Sequence, residues 1–198
     1  MKADRYLIKT PRVKESFLTK YVFEPEDNIL DYTPYNLTYV PYCGGTAPQK
    51  KAIETIARYF QREFKYDFVQ YTRLTEKFNE DAITKPFLFT KPDYDNYMIC
   101  TGACVFRYRT HFIDLPPHWA LQWIWLHPYE RNKGILTSVW EYFEKTFGEF
   151  IVETPISKAM QSFLETYDPN KRHSYQVHLL PEEDKQPIII LDKSNERI

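Results

Sequence analysis

The most regular hydrophobic pattern in the chain predicts an amphipathic helix over residues 47–64. Apolar side chains recur there at the i, i+3, i+4, i+7 spacing that places them on one helix face, at Ile53, Ile56, Ala57, Phe60 and Phe64. Thr46 is the expected N-cap, and Pro48 is tolerated in the first turn. The preceding 45 residues lack a helical period, which predicts extended segments and turns.

Runs of aromatic and β-branched residues downstream of this helix predict strands. The predicted strands are residues 66–71, 87–89, 97–108 and 119–126, with a loop or short helix at 72–85. Turns that contain proline and aspartate separate the last three strands. This punctuation predicts an antiparallel meander.

A helix, a strand and a second helix follow the meander. The apolar face of the first of these helices runs from Ile135 to Phe147, and Gly148 is its expected C-cap. We expect a strand at residues 150–152. A shorter helix is expected from about Ser157, and its inward side chains are Ala159, Met160, Phe163 and Leu164. Residues 188–191 predict one further strand.

The composition excludes two common nucleotide-binding loops. The 198-residue chain has five glycines, Gly44, Gly45, Gly102, Gly134 and Gly148. Neither a G-x-G-x-x-G turn nor a Walker A loop can be drawn from these positions. The 26 Lys and Arg nearly balance the 27 Asp and Glu, for a net charge of −1. No overall field therefore attracts the protein to nucleic acid or anionic lipid.

The cysteines and the lengths of the apolar runs indicate where the protein works. Three cysteines, an odd number, without a recognisable signal peptide favour a reducing compartment. The longest aliphatic run, residues 188–191, is far below the ~18 residues that cross a bilayer. We expect a cytoplasmic protein with one domain over 1–198: an irregular aromatic-rich segment at 1–45, a core at 46–166 and a carboxy-terminal extension at 167–198.

The junction between the strand 119–126 and the next helix has the features of an anion site. The strand ends at His127-Pro128, and the loop Arg131-Asn132-Lys133-Gly134 opens directly into the helix. Free backbone N–H groups and the positive end of the helix dipole meet there beside two cationic side chains. Gly134 would let a phosphate approach the backbone closely. The alternative is that the two cations belong to a solvated turn.

The order of elements around this loop resembles the GNAT superfamily of N-acetyltransferases. Its acyl-CoA motif is Arg/Gln-x-x-Gly-x-Gly/Ala after a strand that often ends in Val-x-Pro; here Leu126-His127-Pro128 precedes residues 131–136. The resemblance covers about a quarter of the chain and extends loosely to the meander. It implies an α/β (α+β) fold, with a mixed, mostly antiparallel central sheet flanked by helices and splayed between the strands at 120–127 and 149–153.

The resemblance also implies a site for acetyl-CoA as co-substrate, and no metal. Residues 131–136 would wrap the CoA pyrophosphate, and strand residues 123–126 would hydrogen-bond the pantetheine arm as an added strand would. The implied cofactor-binding residues are Trp125, Leu126, Arg131, Asn132, Lys133, Gly134, Ile135 and Leu136.

Two positions depart from the family pattern. Leu136 stands where the motif has Gly or Ala, so its side chain either crowds the pyrophosphate or points into the core. Leu164 stands roughly where many members carry the Tyr that protonates the CoA thiolate. Tyr167, three residues on, is the nearest candidate replacement.

Two titratable side chains near the expected splay are candidate catalytic bases. Direct N-acyl transfer needs a base for the acceptor ammonium and N–H donors for the oxyanion. Glu153 is the first candidate by position, and its simpler interpretation is an exposed strand-end carboxylate. His127 titrates near neutrality, and its simpler interpretation is a strand terminus. Asp114 and His118 flank a Pro-Pro hairpin and are equally well interpreted as turn residues.

Cys100 and Cys104 lie four residues apart on a predicted strand and are therefore expected on one face. With His111 and His118 they could form a metal cluster. Their spacing on a strand lacks the knuckle that is usual for structural zinc. Buried small hydrophobic side chains are the preferred interpretation.

The aromatic residues divide into two groups. Trp123, Trp125, Trp140 and Phe143 are expected to fill the core. The tyrosines of the amino-terminal segment are less easily assigned to a core, and we expect them to form a wall of the acceptor pocket; they are Tyr32, Tyr35, Tyr39 and Tyr42.

These observations together predict an acyl-CoA-dependent N-acyltransferase that moves acetyl from acetyl-CoA to an amine by direct attack. The alternative is a catalytically inactive GNAT-fold binding or assembly module, which Leu136 and Leu164 favour. The sequence leaves the acceptor amine and the oligomeric state open, a homodimer included. The near-zero net charge disfavours a nucleic-acid substrate.

Overall fold

The first helix begins and ends where its hydrophobic period does. In the computed structural model, which describes residues 8–18, 37–41, 44–73, 83–110 and 116–167, α1 spans Ala47–Phe64. The backbone N–H of Thr46 donates to Oε1 of the buried Gln49 at 2.8 Å. At the other end Lys65 takes the left-handed conformation, with φ of 58°, and stops the helix. The predicted helix and its N-cap are confirmed.

Six strands form one mixed sheet. They are β1 Arg12–Lys14, β2 Leu37–Tyr39, β3 Thr84–Pro92, β4 Tyr97–Arg109, β5 His118–Leu126 and β6 Ile151–Val152. The order is β2-β3-β4-β5-β6, and β1 pairs with the start of β4. The pairings are antiparallel except that β5 and β6 run parallel. The predicted meander is confirmed as β3, β4 and β5.

The two carboxy-terminal helices have identifiable caps. After a 3-10 helix at Pro128–Glu130, α2 spans Ile135–Phe147, and α3 spans Lys158–Tyr167. The N-cap of α2 is Gly134, with φ of 73°, and the N–H of its C-cap Gly148 donates to the carbonyl of Glu144 at 2.9 Å. The hydroxyl of Ser157 accepts from the N–H of Met160 at 3.1 Å, at the start of α3.

The sheet has a hydrophobic core on each face. One face packs against α1, and its buried cluster is Val13, Val40, Ala52, Ile53, Ile56, Ala57, Phe60, Tyr71, Leu88, Cys100, Ala103, Val105, Trp123 and Trp125. The other packs against α2 and α3, and its larger cluster includes Phe87, Phe106, Leu121, Trp140, Phe143, Phe150 and Leu164. The core positions predicted for Trp123, Trp125, Trp140 and Phe143 are confirmed.

Two β-bulges reverse the alternation of side chains along the central strands. In β4, Gly102 pairs with Phe89 and Cys100 pairs with Thr90, so Thr101 is an extra residue. Cys100 consequently packs on the α1 face and Cys104 on the α2 face. The prediction that the two cysteines share a face is wrong, because a bulge lies between them.

The second bulge lies in β5. Trp123 pairs with Val105 and Leu121 pairs with Phe106, which leaves Gln122 as the extra residue. Leu121 therefore faces α2 while Trp123 faces α1, although they are two residues apart. The bulge falls where β5 loses its partner β6.

Two further predictions are wrong. Residues 66–71 form no strand: the N–H of Tyr66 donates back to the carbonyl of Gln61 at 3.1 Å, so this segment begins as the reversal that closes α1. Ala159 is exposed rather than inward, while Met160 and Leu164 are buried. The predicted strand 188–191 lies outside the described residues.

Candidate functional site

A passage crosses the sheet between β5 and β6. The two strands pair at two positions, Ala120 with Ile151 and Leu121 with Val152, after which β6 ends. The space between them is about 380 Å³, including the part open to solvent. Its lining residues are Phe60, Phe64, Tyr66, Leu121, Gln122, Trp123, Ile124, Val152, Glu153, Pro155, Ile156, Ser157 and Met160. The lining residues come from the α1 face and from the start of α3, and the separation of β5 from β6 confirms the predicted splay.

The edge of β5 along this passage has free backbone groups. Beyond the bond from the N–H of Glu153 to the carbonyl of Leu121, at 3.0 Å, no described strand pairs with this edge. The bulge at Gln122 also removes one residue from the pairing with β4. Unpaired backbone groups of a strand edge bind extended chains that carry amides.

Glu153, the first candidate base, does line the passage, but it is already paired. Nε and Nη2 of Arg109 both lie 2.6 Å from its Oε1. The Glu153 side chain is 14% exposed and the Arg109 side chain is 24% exposed. A charged group of a ligand that reached this carboxylate would share it with the guanidinium.

Tyr66 faces the same carboxylate from the end of α1. Its hydroxyl donates to the carbonyl of Pro155 at 3.1 Å, and its ring stacks on Phe60 with centroids 5.1 Å apart. Burial raises the pKa of the Tyr66 phenol, and the charge of Glu153 raises it further. The phenol therefore keeps its proton at neutral pH.

Arg131, in the predicted anion loop, is held by α1. Its Nη1 and Nη2 lie 2.6 and 2.7 Å from the two carboxylate oxygens of Glu63, and its Nε donates to the carbonyl of Leu126 at 2.9 Å. Trp125 completes the arrangement: its Nε1 donates to Glu63 at 2.7 Å, and its ring lies 5.6 Å from the guanidinium. Arg131 thus fixes the loop to α1.

Lys133 is also paired within the chain. Its Nζ lies 3.0 Å from Oε2 of Glu130, whose other oxygen binds Lys91 of β3. Burial raises the pKa of Glu130, but the hydrogen bonds and charges of the two lysines outweigh it and hold the pKa below its ordinary value. Arg131 is therefore neutralised by Glu63, whereas Lys133 shares the single charge of Glu130 with Lys91, and this group keeps one positive charge.

The start of α2 keeps an open N-terminus. Gly134 offers no side chain to cap the helix, and a Cβ placed on it would meet nothing within 4 Å. The first-turn N–H groups of a helix have no partner inside the helix. Leu136 is partly buried and packs against the core cluster of α2 and α3. Of the two alternatives for Leu136, the structure supports the one that leaves the helix end uncrowded.

His127, the second candidate base, is occupied by contacts within the chain. Its Nδ1 accepts from the N–H of Tyr129 at 3.3 Å, and the two rings stack with centroids 5.4 Å apart. Burial lowers the pKa of the His127 imidazole, while a hydrogen bond to the backbone of Ile8 and the charge of Glu130 oppose the shift. The ring is 7% exposed and does not line the passage. The structure gives His127 a structural role and does not place it for a base.

On α3, neither Leu164, which stands where the family carries its Tyr, nor the candidate replacement Tyr167 lines the passage. Leu164 is buried in the core, as an apolar side chain should be. Tyr167 stacks on Phe163, with centroids 5.3 Å apart, and contacts Trp140. It lies ten residues beyond Ser157, about 15 Å at the rise of an α-helix. Tyr66, which the sequence assigned to a strand, occupies the position that Tyr167 does not.

The other predicted site residues have different outcomes. Tyr39 is buried on the α2 face, with its ring 5.4 Å from Phe87, so the predicted acceptor wall is wrong at this residue. His118 bonds the carbonyl of Pro116 at 2.8 Å, as a turn residue would. Predicted residues outside the described part are Tyr32, Tyr35, Tyr42, His111 and Asp114.

The two described cysteines are buried thiols. Burial raises the pKa of Cys100 to about 12 and that of Cys104 well above its ordinary value. No three His, Cys, Asp or Glu side chains of the described residues gather as metal ligands. In the same part of the chain, no helix is both long enough and apolar enough to cross a membrane.

Solved structures to which the chain is similar include two that are described as acetyltransferases. The chain is similar to the aminoglycoside N-acetyltransferase AAC(6')-Iy, solved in complex with CoA, at 14% identity and a TM-score of 0.39, over 66% of this chain and 87% of that one. It is also similar to a structure described as "Putative acetyl transferase from Pyrococcus furiosus", at 16% identity and a TM-score of 0.41, over 66% of this chain and 91% of that one. No protein-family model matches the sequence, and no curated protein matches it.

Proposed function

We propose that the chain is an acyl-CoA-dependent N-acyltransferase that transfers acetyl from acetyl-CoA to an amine. The observation that carries the proposal is the passage between β5 and β6, which joins both faces of the sheet and is lined by a strand edge, a carboxylate and a phenol. Such a passage admits an acyl donor from one face and an acceptor from the other. The element order around it is the one that the resemblance to the GNAT superfamily implied.

The residues present fit the donor. The unpaired edge of β5 suits the amides of a pantetheine arm. The open N-terminus of α2, with Gly134 as its cap, suits a pyrophosphate. Arg131 contributes through the position of the loop, because its charge is paired with Glu63, while Lys133 shares Glu130 with Lys91 and leaves positive charge beside the helix start.

Acetyl-CoA supplies a thioester, from which transfer to an amine forms a C–N bond and breaks a C–S bond. The amine loses a proton in this reaction and the sulfur gains one. Glu153 is positioned to hold the acceptor ammonium and receive its proton, in competition with Arg109. Tyr66 carries a proton that it can give to the sulfur. The bulge at Gln122 leaves backbone groups that can bind the oxyanion.

Calorimetry with CoA tests the donor site. The wild type is compared with Gly134→Glu and Gly134→Gln, which suffer the same strain at positive φ, about 1 kcal/mol, and differ in one charge. Because a like charge beside the pyrophosphate costs several kcal/mol, we expect the Glu variant to bind CoA about 100-fold more weakly than the Gln variant. Absence of CoA binding by the wild type would overturn the proposal.

A catalytically inactive binding module is the second candidate. The observation that favours it is that both predicted bases are engaged, Glu153 by Arg109 and His127 by Tyr129. Release of free thiol from acetyl-CoA in the presence of a broad set of amines separates the two candidates. Tight CoA binding without thiol release would replace the enzyme with the module.

A further inference from the structure

Arg107 is a half-buried cation that makes no ion pair with the part of the chain that the structure describes. It lies on β4, opposite Thr84 of β3 and Ala120 of β5, in the interior of the sheet. No hydrogen bond or ion pair joins it to another residue within the described part of the chain. Burial lowers the pKa of its guanidinium, and the charge of Arg109 lowers it further, while Glu153 opposes the shift.

Arg107 lies on the face of the sheet from which an acceptor would enter. Its neighbour Phe106 faces α2, so Arg107 faces the α1 side, and Arg109 shares that face. Arg109 holds Glu153 at the mouth of the passage. We name Arg107, Arg109 and Glu153 the acceptor cluster.

The acceptor cluster carries one uncompensated positive charge. Two guanidinium groups stand against one carboxylate, and both short contacts of that carboxylate are made by Arg109. A partly buried charge without a partner costs the fold about 1–3 kcal/mol. An anion that binds Arg107 would recover this energy, because arginine binds carboxylates and phosphates through paired N–H donors.

We propose that Arg107 binds an anionic group of the acceptor, so that the acceptor is an amine with a carboxylate or a phosphate near its nitrogen. This inference rests on the proposed function. The ammonium would lie at Glu153, and the anion at Arg107. The two positions are close, since Arg107 and Arg109 are two residues apart on one strand, about 6.6 Å. Simple alkylamines would lack the second contact.

Matched pairs of small amines test this inference in the absence of acetyl-CoA. Calorimetry compares glycine with methylamine and phosphoethanolamine with ethanolamine, so that each pair differs by one anionic group. We expect the anionic member of at least one pair to bind about 10-fold more tightly to the wild type, since a charge-assisted bidentate pair contributes roughly 1.5–3 kcal/mol. A preference in the glycine pair indicates that Arg107 binds a carboxylate, and a preference in the phosphoethanolamine pair indicates that it binds a phosphate.

Variants assign the preference to Arg107. Arg107→Gln should abolish it, and Arg107→Lys should retain part of it. Arg58→Gln is the matched control, because Arg58 is an exposed arginine of α1 paired with Glu54, and it should leave the preference unchanged. A preference that is missing in the wild type, or that survives in Arg107→Gln, would overturn the inference.

The same proteins tell this failure from failure of the proposed function. CoA binding is measured on each variant, and Arg107→Gln should bind CoA as the wild type does, because Arg107 lies away from the start of α2. If CoA binds while no anionic amine is preferred, the inference on Arg107 falls and the acyltransferase stands. If CoA does not bind, the acyltransferase falls whatever Arg107 does.

Discussion

Arg131 precedes α2 and Arg107 lies on β4, and the fold pairs these two arginines differently. Arg131, in the loop before α2, is bound by Glu63 through two hydrogen bonds of 2.6 and 2.7 Å and leans on Trp125. Arg107, in the acceptor cluster, makes no ion pair with the residues that the structure describes, and Arg109 already holds Glu153. The first arginine completes the structure, and the second is the one that we propose binds a ligand.

Pairing within the chain distinguishes a cation that stabilises the fold from a cation that can bind a ligand. In the sequence, Arg131 stood in a recognisable motif and Arg107 in an unremarkable strand, so the motif arginine was the expected ligand contact. The ion pairs within the chain reverse this expectation, because Arg131 is paired with Glu63. A charge neutralised by its own fold mainly positions backbone, whereas a half-buried charge without a partner is compensated by what binds.

The largest expected effect tests the proton transfer from Tyr66 to the sulfur of the donor. Tyr66→Phe removes a hydroxyl that faces the passage, and we expect kcat to fall about 100-fold, the lower range for general acid catalysis. Tyr59→Phe is the control at the loop end, where the Tyr59 hydroxyl bonds the carbonyl of Lys9 and its ring contacts Trp125. Equal kcat values for Tyr66→Phe and the wild type would show that Tyr66 does not supply the proton.

The second prediction is that removal of the two arginines changes the free energy of unfolding in opposite directions. Arg131→Met removes the two hydrogen bonds of the guanidinium to Glu63 and its contact with the Trp125 ring, and we expect a loss of about 1–2 kcal/mol in the free energy of unfolding. Arg107→Met removes an unpaired charge, and we expect a gain of about 0.5–1 kcal/mol. Urea unfolding without ligands measures both. Destabilisation by Arg107→Met to the extent of Arg131→Met would show that Arg107 is structural.

The third effect tests whether pairing withholds Arg131 from the donor. Glu63→Gln keeps the shape of the side chain but frees the guanidinium. A new exposed ion pair contributes roughly 0.5–1 kcal/mol, so CoA should bind about 2–5-fold more tightly. The gain should shrink as salt rises, because screening weakens exposed pairs. Weaker CoA binding by this variant would show that the Glu63 pair holds the loop in its binding conformation.

The smallest effect is a pH dependence at the loop end. His127 has a lowered pKa in the folded state, so the fold favours its neutral ring. Its contribution to stability is present above the unfolded pKa of about 6.5 and is lost as the pH falls through the lower folded pKa. Charges that face it are Glu130, Lys91 and Arg131. Urea unfolding between pH 7.5 and 5 should show a shallower loss in His127→Gln; an unchanged slope would contradict this assignment.

The helices and the meander could be predicted because their signals are local. The apolar period of α1, the caps Thr46 and Gly148, and the hairpin turns each act over a few residues. The strand expected at 66–71 failed because its aromatic residues serve the reversal after α1, where Tyr66 packs on Phe60. Composition alone does not distinguish a strand from a loop held by aromatic anchors.

The candidate site could be predicted only in part. The splay and Glu153 were expected from the element order, and the passage confirms both positions. Tyr66 and Arg107 were missed, since neither belongs to a motif, and their roles depend on residues up to 87 positions away, such as Glu153. A signal existed in the exposed aromatic Phe64 at the end of α1, which is 37% exposed and lines the passage.

Neighbouring residues determined the helices and the meander, because hydrophobic period, caps and turns are local properties. Tertiary structure alone decided which face each side chain meets and which charges cancel. One extra residue at Thr101 and another at Gln122 reversed the faces of β4 and β5. Pairing across the fold then satisfied Arg131, whereas Arg107 makes no ion pair with any residue in the described ranges. Burial and charge balance are sums over distant parts of the chain, and these sums separate a scaffold residue from a site residue.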